Sequence, residues 1–137
     1  MRRTNYKWGN SSLKVRAELH PKLQRICDEL LQYMDVSLVS GHRGKEVQNE
    51  HFREGRSKLQ YPQSKHNQYP SIAVDVQPHP YPQKETELHA ALGFMAGLAT
   101  VIAVKYGIEL RWGGDWDMDG DVTDNDFDDL FHLEIVE

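Results

Sequence analysis

Two short alternations of apolar and polar residues constrain this chain more than anything else in it. Ile72, Val74 and Val76 alternate with Ala73, Asp75 and Gln77; near the end, Phe131, Leu133 and Ile135 alternate with His132, Glu134 and Val136. Successive side chains of a strand point to opposite faces of a sheet. Each stretch therefore reads as a half-buried strand, apolar toward helices and polar toward a wetter face. If the two strands are neighbours, Asp75 and His132 project into one groove.

The other segments fit an α+β domain around a small antiparallel sheet. Leu23, Ile26, Cys27, Leu30, Leu31 and Met34 make one helical face over 21–34, with Pro21 at the favoured first position. Cys27 belongs to that face as a small core residue. Residues 36–40 read as a strand stopped by Gly41, 44–54 as a polar helix and 56–71 as loop. Residues 84–106 form the longest expected helix, with Leu88, Leu92, Met95, Ala96, Ala99, Ile102, Ala103 and Tyr106 inward and Gly107 as C-cap. Strands over 108–112 and 131–136 complete the sheet. At 137 residues, the span 1–137 reads as a single domain with one core. The net charge of -5 argues against a nucleic-acid module. One cysteine excludes an intrachain disulfide. No apolar run was expected to span a bilayer, and the charged start, Met1 to Lys7, lacks the apolar stretch of a signal peptide. The expectation is synthesis and residence in a cytoplasm, with no membrane partner.

Ser64-Lys65-His66, Ala73-Val74-Asp75 and Asp129 through Glu134 carry the chemistry. Together they supply two imidazoles and a carboxylate that can hold one Zn²⁺, and a spare carboxylate three residues before the second imidazole. A catalytic zinc needs three protein ligands, an open position for water and a nearby group to take that water's proton. A lone histidine on a strand is more often a structural hydrogen-bonder; here the combination of His66, Asp75, Asp129 and His132 favours a site. His20, His51, His79 and His89 lack ligand spacing, and His42 lies beside Arg43 near the expected rim. Trp112 and Trp116 flank Gly113-Gly114 and are candidates either for the groove wall or for packing.

Residues 115–129 hold eight aspartates and no basic residue. Asp115, Asp117, Asp119, Gly120, Asp121, Thr123 and Asp126 have the spacing of an EF-hand loop, with Asp126 in place of the usual Glu. The two readings are a regulatory Ca²⁺ site, leading directly into the last strand, and a solvated acidic hairpin loop.

These motifs resemble the zinc D-Ala-D-Ala carboxypeptidase and L-alanyl-D-glutamate endopeptidase family, most of all its single-domain bacteriophage endolysins. The matching residues are Ser64-x-His66, Ala73-x-Asp75 and Asp129-x-x-His132, with Ser40-Gly41-His42-Arg43 similar to the family's strand-end arginine motif. The likeness covers residues 36 to 137. It implies a hedgehog/D-Ala-D-Ala metallopeptidase-like fold with helices on one side of the sheet. It implies His66, Asp75 and His132 as zinc ligands and Asp129 as proton carrier. Arg43 becomes the clamp for a substrate carboxylate. Glu134, Gln48 and Trp112 become supporting or substrate-lining residues. The implied substrate is the stem peptide of peptidoglycan, cut by a monomer at the L-alanyl-D-glutamate bond after the membrane is permeabilised. A D-Ala-D-Ala carboxypeptidase or dipeptidase, and a non-catalytic metal-stabilised binding module, stay open beside it. Two departures stand out: Asn67-Gln68-Tyr69-Pro70 lengthens the gap from His66 to Asp75, and Ser71 replaces the usual glycine.

Overall fold

The computed structural model describes residues 1–136. In chain order the elements are α1 (Asn10–Ala17), α2 (Pro21–Leu31), β1 (Val36–Ser40), α3 (Lys45–Arg53), a one-turn 3₁₀ helix (Lys65–Asn67), β2 (Ala73–Pro78), α4 (Glu85–Lys105), β3 (Leu110–Gly113) and β4 (Asp129–Ile135). The strands lie in the order β1-β2-β4-β3, with every neighbouring pair antiparallel. The fold is α+β, as expected. Helix and strand limits shift by a few residues, as terminal turns fray into their caps.

Helix α2 starts because Pro21 needs no N–H partner and the His20 imidazole accepts the Lys22 N–H at 3.1 Å. Its buried stripe of Leu23, Ile26, Cys27, Leu30 and Leu31 meets that of α4, made of Leu92, Met95, Ala96, Ala99, Ile102 and Ala103. Both stripes cover the sheet face carrying Val74, Val76, Leu133 and Ile135. Gly107 ends α4 at φ 68°, and the Gly107 and Ile108 N–H groups satisfy the carbonyls of Val104 and Ala103. By length and composition α4 meets the requirement for a membrane-crossing helix, which corrects the expectation that no apolar run reaches that length. Its inward stripe is spent on the sheet.

Helix α1 was not expected, because Asn10–Ala17 has no apolar stripe and its Leu13 is exposed. Its buried residue is Ser12, whose Oγ accepts the Leu38 N–H at 3.1 Å and so closes the outer edge of β1.

The register places the site. Strands β2 and β4 pair only over Ala73–Asp75 and His132–Glu134, with Asp75 directly opposite His132. Beyond that pair β2 runs on to Pro78 and β4 back to Asp129. The two strands separate there, opening a cleft that starts at Asp75 and His132.

The amino-terminal segment is pinned at Asp28, which accepts from Trp8 Nε1 at 2.9 Å and from Arg16 Nε and Nη2 at 2.8 and 2.7 Å. Burial opposes the charge on Asp28, but the Arg16 and Trp8 hydrogen bonds outweigh it and hold the carboxyl below its ordinary range. A depressed folded pKa contributes stability above the unfolded pKa and loses it as pH falls through the folded value. Asp28→Asn should therefore destabilise the protein by ~1 kcal/mol at neutral pH. In strong acid, where the carboxyl is protonated in both states, variant and parent should converge. Denaturant titration at the two pH values measures the difference.

Candidate active site

His66, Asp75 and His132 come from three different elements. Ser64 caps the 3₁₀ turn by accepting the His66 N–H at 3.2 Å, while Asn67 Oδ1 accepts the Ser64 N–H at 2.9 Å. This reciprocal cap fixes where His66 points. The long segment before Asp75 does not displace the histidine. Ser71 stitches it to the α1–α2 connection through Ser71 N–H to Glu18 O and His20 N–H to Ser71 O, each 2.8 Å. As a result, one donor atom from each of His66, Asp75 and His132 lies within 4.8 Å of the others. His66 Nε2 is 3.1 Å from His132 Nδ1, and these atoms are 3.4 and 3.5 Å from Asp75 Oδ1.

The outer nitrogen of each ring meets an atom that can only accept. His66 Nδ1 lies 2.7 Å from the Gly41 carbonyl, and His132 Nε2 lies 2.8 Å from Glu134 Oε1. Each outer nitrogen therefore carries the hydrogen, which leaves the inner nitrogens of the neutral rings as lone pairs. Asp75 Oδ1 is buried without a hydrogen-bond partner among the described residues. Two nitrogen lone pairs and one carboxylate oxygen thus face a common point, an arrangement that a cation satisfies. Two imidazoles and a carboxylate are a fitting donor set for zinc.

The charges follow the same logic. Burial opposes ionisation of Asp75, yet the facing His132 and His66 rings hold its carboxyl well below the ordinary range. Burial lowers the His132 pKa, but Asp75 and Glu134 outweigh it and raise the value to about 9, so a proton competes with a cation for the inner nitrogen of His132. Glu134 is itself nearly buried and is held by Arg111 Nη1 at 3.2 Å and Lys65 Nζ at 3.8 Å. Asp129, on the first turn of β4 into the cleft, moves the other way: burial and the neighbouring Asp75 charge raise its carboxyl. Its Oδ2 is 4.0 Å from His132 Nδ1. Backbone packing sets this position, because a Cβ on Gly113 would meet the Asp129 carbonyl oxygen at 2.0 Å. Only glycine permits β3 to approach so closely.

Several expectations are corrected. Arg43 is not a free fork. Its guanidinium is buried and donates to Asp75 Oδ2 at 2.7 Å, Ser40 Oγ at 3.0 Å and Gln48 Oε1 at 3.3 Å, where it lines both halves of the cleft. Gln48 does not face substrate either. It is fully buried between Arg43, Asn67, Ser57 and the Leu59 carbonyl. Trp112 pairs with Leu133 and so lies on the helix-facing side of the sheet, with its Nε1 bonded to Leu130 O at 2.8 Å. Trp116 is the tryptophan beside the site, its ring centroid 5.4 Å from that of His132. His42 turns away to the Gln68 carbonyl and the Tyr69 ring. Lys65, Arg111 and His51 escaped the sequence reading. The partner of Lys65 and Arg111, Glu134, is distant in the chain, and His51 lines the cleft wall together with His89.

The acidic loop gathers only part of its expected set. Donor atoms of Asp115, Asp117 and Asp119 lie within 4.8 Å of one another. Asp121 instead accepts from the Thr123 N–H and hydroxyl at 2.8 and 2.6 Å, and Asp126 stays outside the cluster. Asp124, not singled out by spacing, lies beside it: a hydrogen bond with Asp119 pushes its carboxyl up to about 6.

A small antiparallel sheet that brings two imidazoles and a carboxylate to one point, beside a half-buried acid, has the arrangement of a metal-dependent hydrolase. The family model of the phage L-alanyl-D-glutamate peptidase matches residues 4–136, and the chain belongs to that family. It is a peptidase. The fold is similar to the crystal structure of the Serratia marcescens L-Ala D-Glu endopeptidase ChiX, with 25% sequence identity, a TM-score of 0.71, and coverage of 96% of this chain and 90% of that one. No curated protein sequence matches the chain.

Glu134 holds the outer nitrogen of His132 and not the cluster itself. Glu134→Gln should weaken metal affinity roughly 10–100-fold without unfolding the protein. Competition against a chromophoric chelator measures the affinity, and unchanged affinity would remove Glu134 from the site.

Proposed function

We propose that the protein is a zinc-dependent endopeptidase that hydrolyses the L-alanyl-D-glutamate bond of peptidoglycan stem peptides. Family membership and the convergence of His66, Asp75 and His132 beside half-buried Asp129 support this reading; the convergence is the observation that carries it. His66 Nε2, Asp75 Oδ1 and His132 Nδ1 would hold the zinc. Bound there, the ion supplies a Lewis acid for the amide carbonyl and lowers the pKa of a water.

The chain's own residues do the rest. Gly41 and Glu134 keep the two rings in the required tautomers. Arg43 neutralises and orients Asp75 through Oδ2, leaving Oδ1 for the cluster. Asp129 takes the proton of the attacking water and returns it to the leaving D-glutamyl nitrogen; a raised carboxyl suits a group that must do both. Trp116 covers His132 on the open side and limits water there. Residues 1–137 act as one catalytic domain and as a monomer, on the wall, after the membrane has been breached.

Digestion of purified muropeptides should create new D-glutamyl amino termini and L-alanyl carboxyl termini, identified by mass spectrometry. Chelation should abolish the cleavage and zinc restore it. Release of D-alanine alone would assign a carboxypeptidase instead. Asp129→Asn should lower kcat about 10²–10⁴-fold while the zinc content stays that of the parent. Parental turnover in that variant would remove Asp129 from proton transfer.

The EF-hand spacing and the clustering of Asp115, Asp117 and Asp119 support a regulatory Ca²⁺ site in the loop between β3 and β4. Its occupancy would order the chain that leads to Asp129. Isothermal titration of zinc-loaded protein with Ca²⁺ should give a binding heat together with a change in rate; absence of both removes the regulatory ion.

A further inference from the structure

The cleft has two unequal halves that meet over Asp129. The narrower, about 280 Å³, is walled by Arg56, Lys58, Lys65, Trp116 and Phe127. The wider, about 640 Å³, has a floor of Val39, Leu88, Leu92, Leu130 and Phe131 and carries Asp128 on its wall. Arg43, Arg56, Phe127 and Asp129 line both halves; the lysines belong to the narrow half alone, and Asp128 and the apolar floor to the wide half alone.

The cations of the narrow half are not equivalent. Arg56 is paired with Glu54. Lys65 leans on Glu134 and donates to the Ile135 carbonyl at 3.3 Å. Lys58 is exposed and, among the described residues, has only the Phe127 ring, its Nζ 5.0 Å from the centroid. With Arg43 paired to Asp75, the Lys58 ammonium is, among the described residues, the cation of this half without a carboxylate partner. The wide half has no lysine, its two arginines are paired with Asp75 and Glu54, and Asp128 faces any anion placed there.

The substrate is equally asymmetric. On the leaving side of an L-alanyl-D-glutamate bond stands a residue with two carboxyl groups, one of which stays free when the peptide continues through the other. The acyl side presents a methyl group. Resting on the reading above, we infer that charge sets the direction of the substrate in the cleft: the D-glutamyl half lies over Lys58, which receives the free carboxylate, and the L-alanyl half lies over the Leu88, Leu92 and Phe131 floor. Lys58 is a specificity residue that touches substrate and takes no part in bond breaking.

Two synthetic stem peptides test this, identical except that the free D-glutamyl carboxylate of one is a carboxamide in the other. Lys58→Gln keeps much of the side-chain stem on Phe127 and leaves the cluster untouched. With the zinc-loaded 137-residue protein, Lys58→Gln should raise KM for the carboxylate peptide roughly threefold to tenfold at low salt, with little change in kcat. It should leave the carboxamide peptide unaffected, and Lys58→Arg should restore the parental preference. Equal effects on both peptides, or none on either, would overturn the assignment while the cleavage reading stands. Failure of the parent protein to cut either peptide between alanine and glutamate would sink the cleavage reading, and the assignment with it.

Discussion

The pairing of Asp75 with His132 across β2 and β4 is the constraint on which the rest depends. Directly opposed residues on antiparallel strands bring their side chains to about 5 Å, close enough to share one ion. A slip of one residue would turn every side chain of a strand to the other face. What prevents it lies on the reverse side. Val74 and Leu133 are also directly opposed and fully buried beneath α2 and α4. Burial of each such side chain is worth about 1.5–3 kcal/mol, so a slipped register would expose several at once. The core thus specifies the polar geometry at a point that polar groups alone would resist, since three lone pairs facing one another repel.

Buried charge explains the ring of partners around that point. Asp75 is matched by Arg43, and Glu134 by Lys65, Arg111 and the His132 ring. Taking one partner from a buried pair strands the other, which typically costs several kcal/mol. The lengthened segment between His66 and Asp75 is tolerated because its backbone bonds go to Glu18 and His20, away from the cluster.

What could be read from the sequence was what repeats locally. Period-two alternation identified β2 and β4, and the same alternation put Asp75, His132 and Glu134 on the polar side. The stripes of α2 and α4 were equally plain. Helix α1 was not, since one buried Ser12 leaves no period to detect. The destination of Arg43 depends on Ser40, Gln48 and Asp75 meeting in space, and no spacing encodes that. Trp112 and Trp116 look alike in sequence. They part because Trp112 pairs with Leu133 and inherits its helix-facing side, whereas Trp116 lies past the irregularity between Trp112 and Gly113, in the loop.

That irregularity joins the loop to the chemistry. Gly113 sits so close to the Asp129 backbone that β3 and the first residue of β4 move together. The loop base is pinned again by Asn125 Nδ2 to Gly114 O and Trp116 Nε1 to Phe127 O, each 2.7 Å. Rearrangement of the acidic segment is therefore passed to Asp129 through a short, stiff path, and to Phe127, on which Lys58 rests. Proton holding and substrate direction have separate origins: burial and the Asp75 charge favour the neutral form of the Asp129 carboxyl, while the Lys58 ammonium on Phe127 draws an incoming carboxylate.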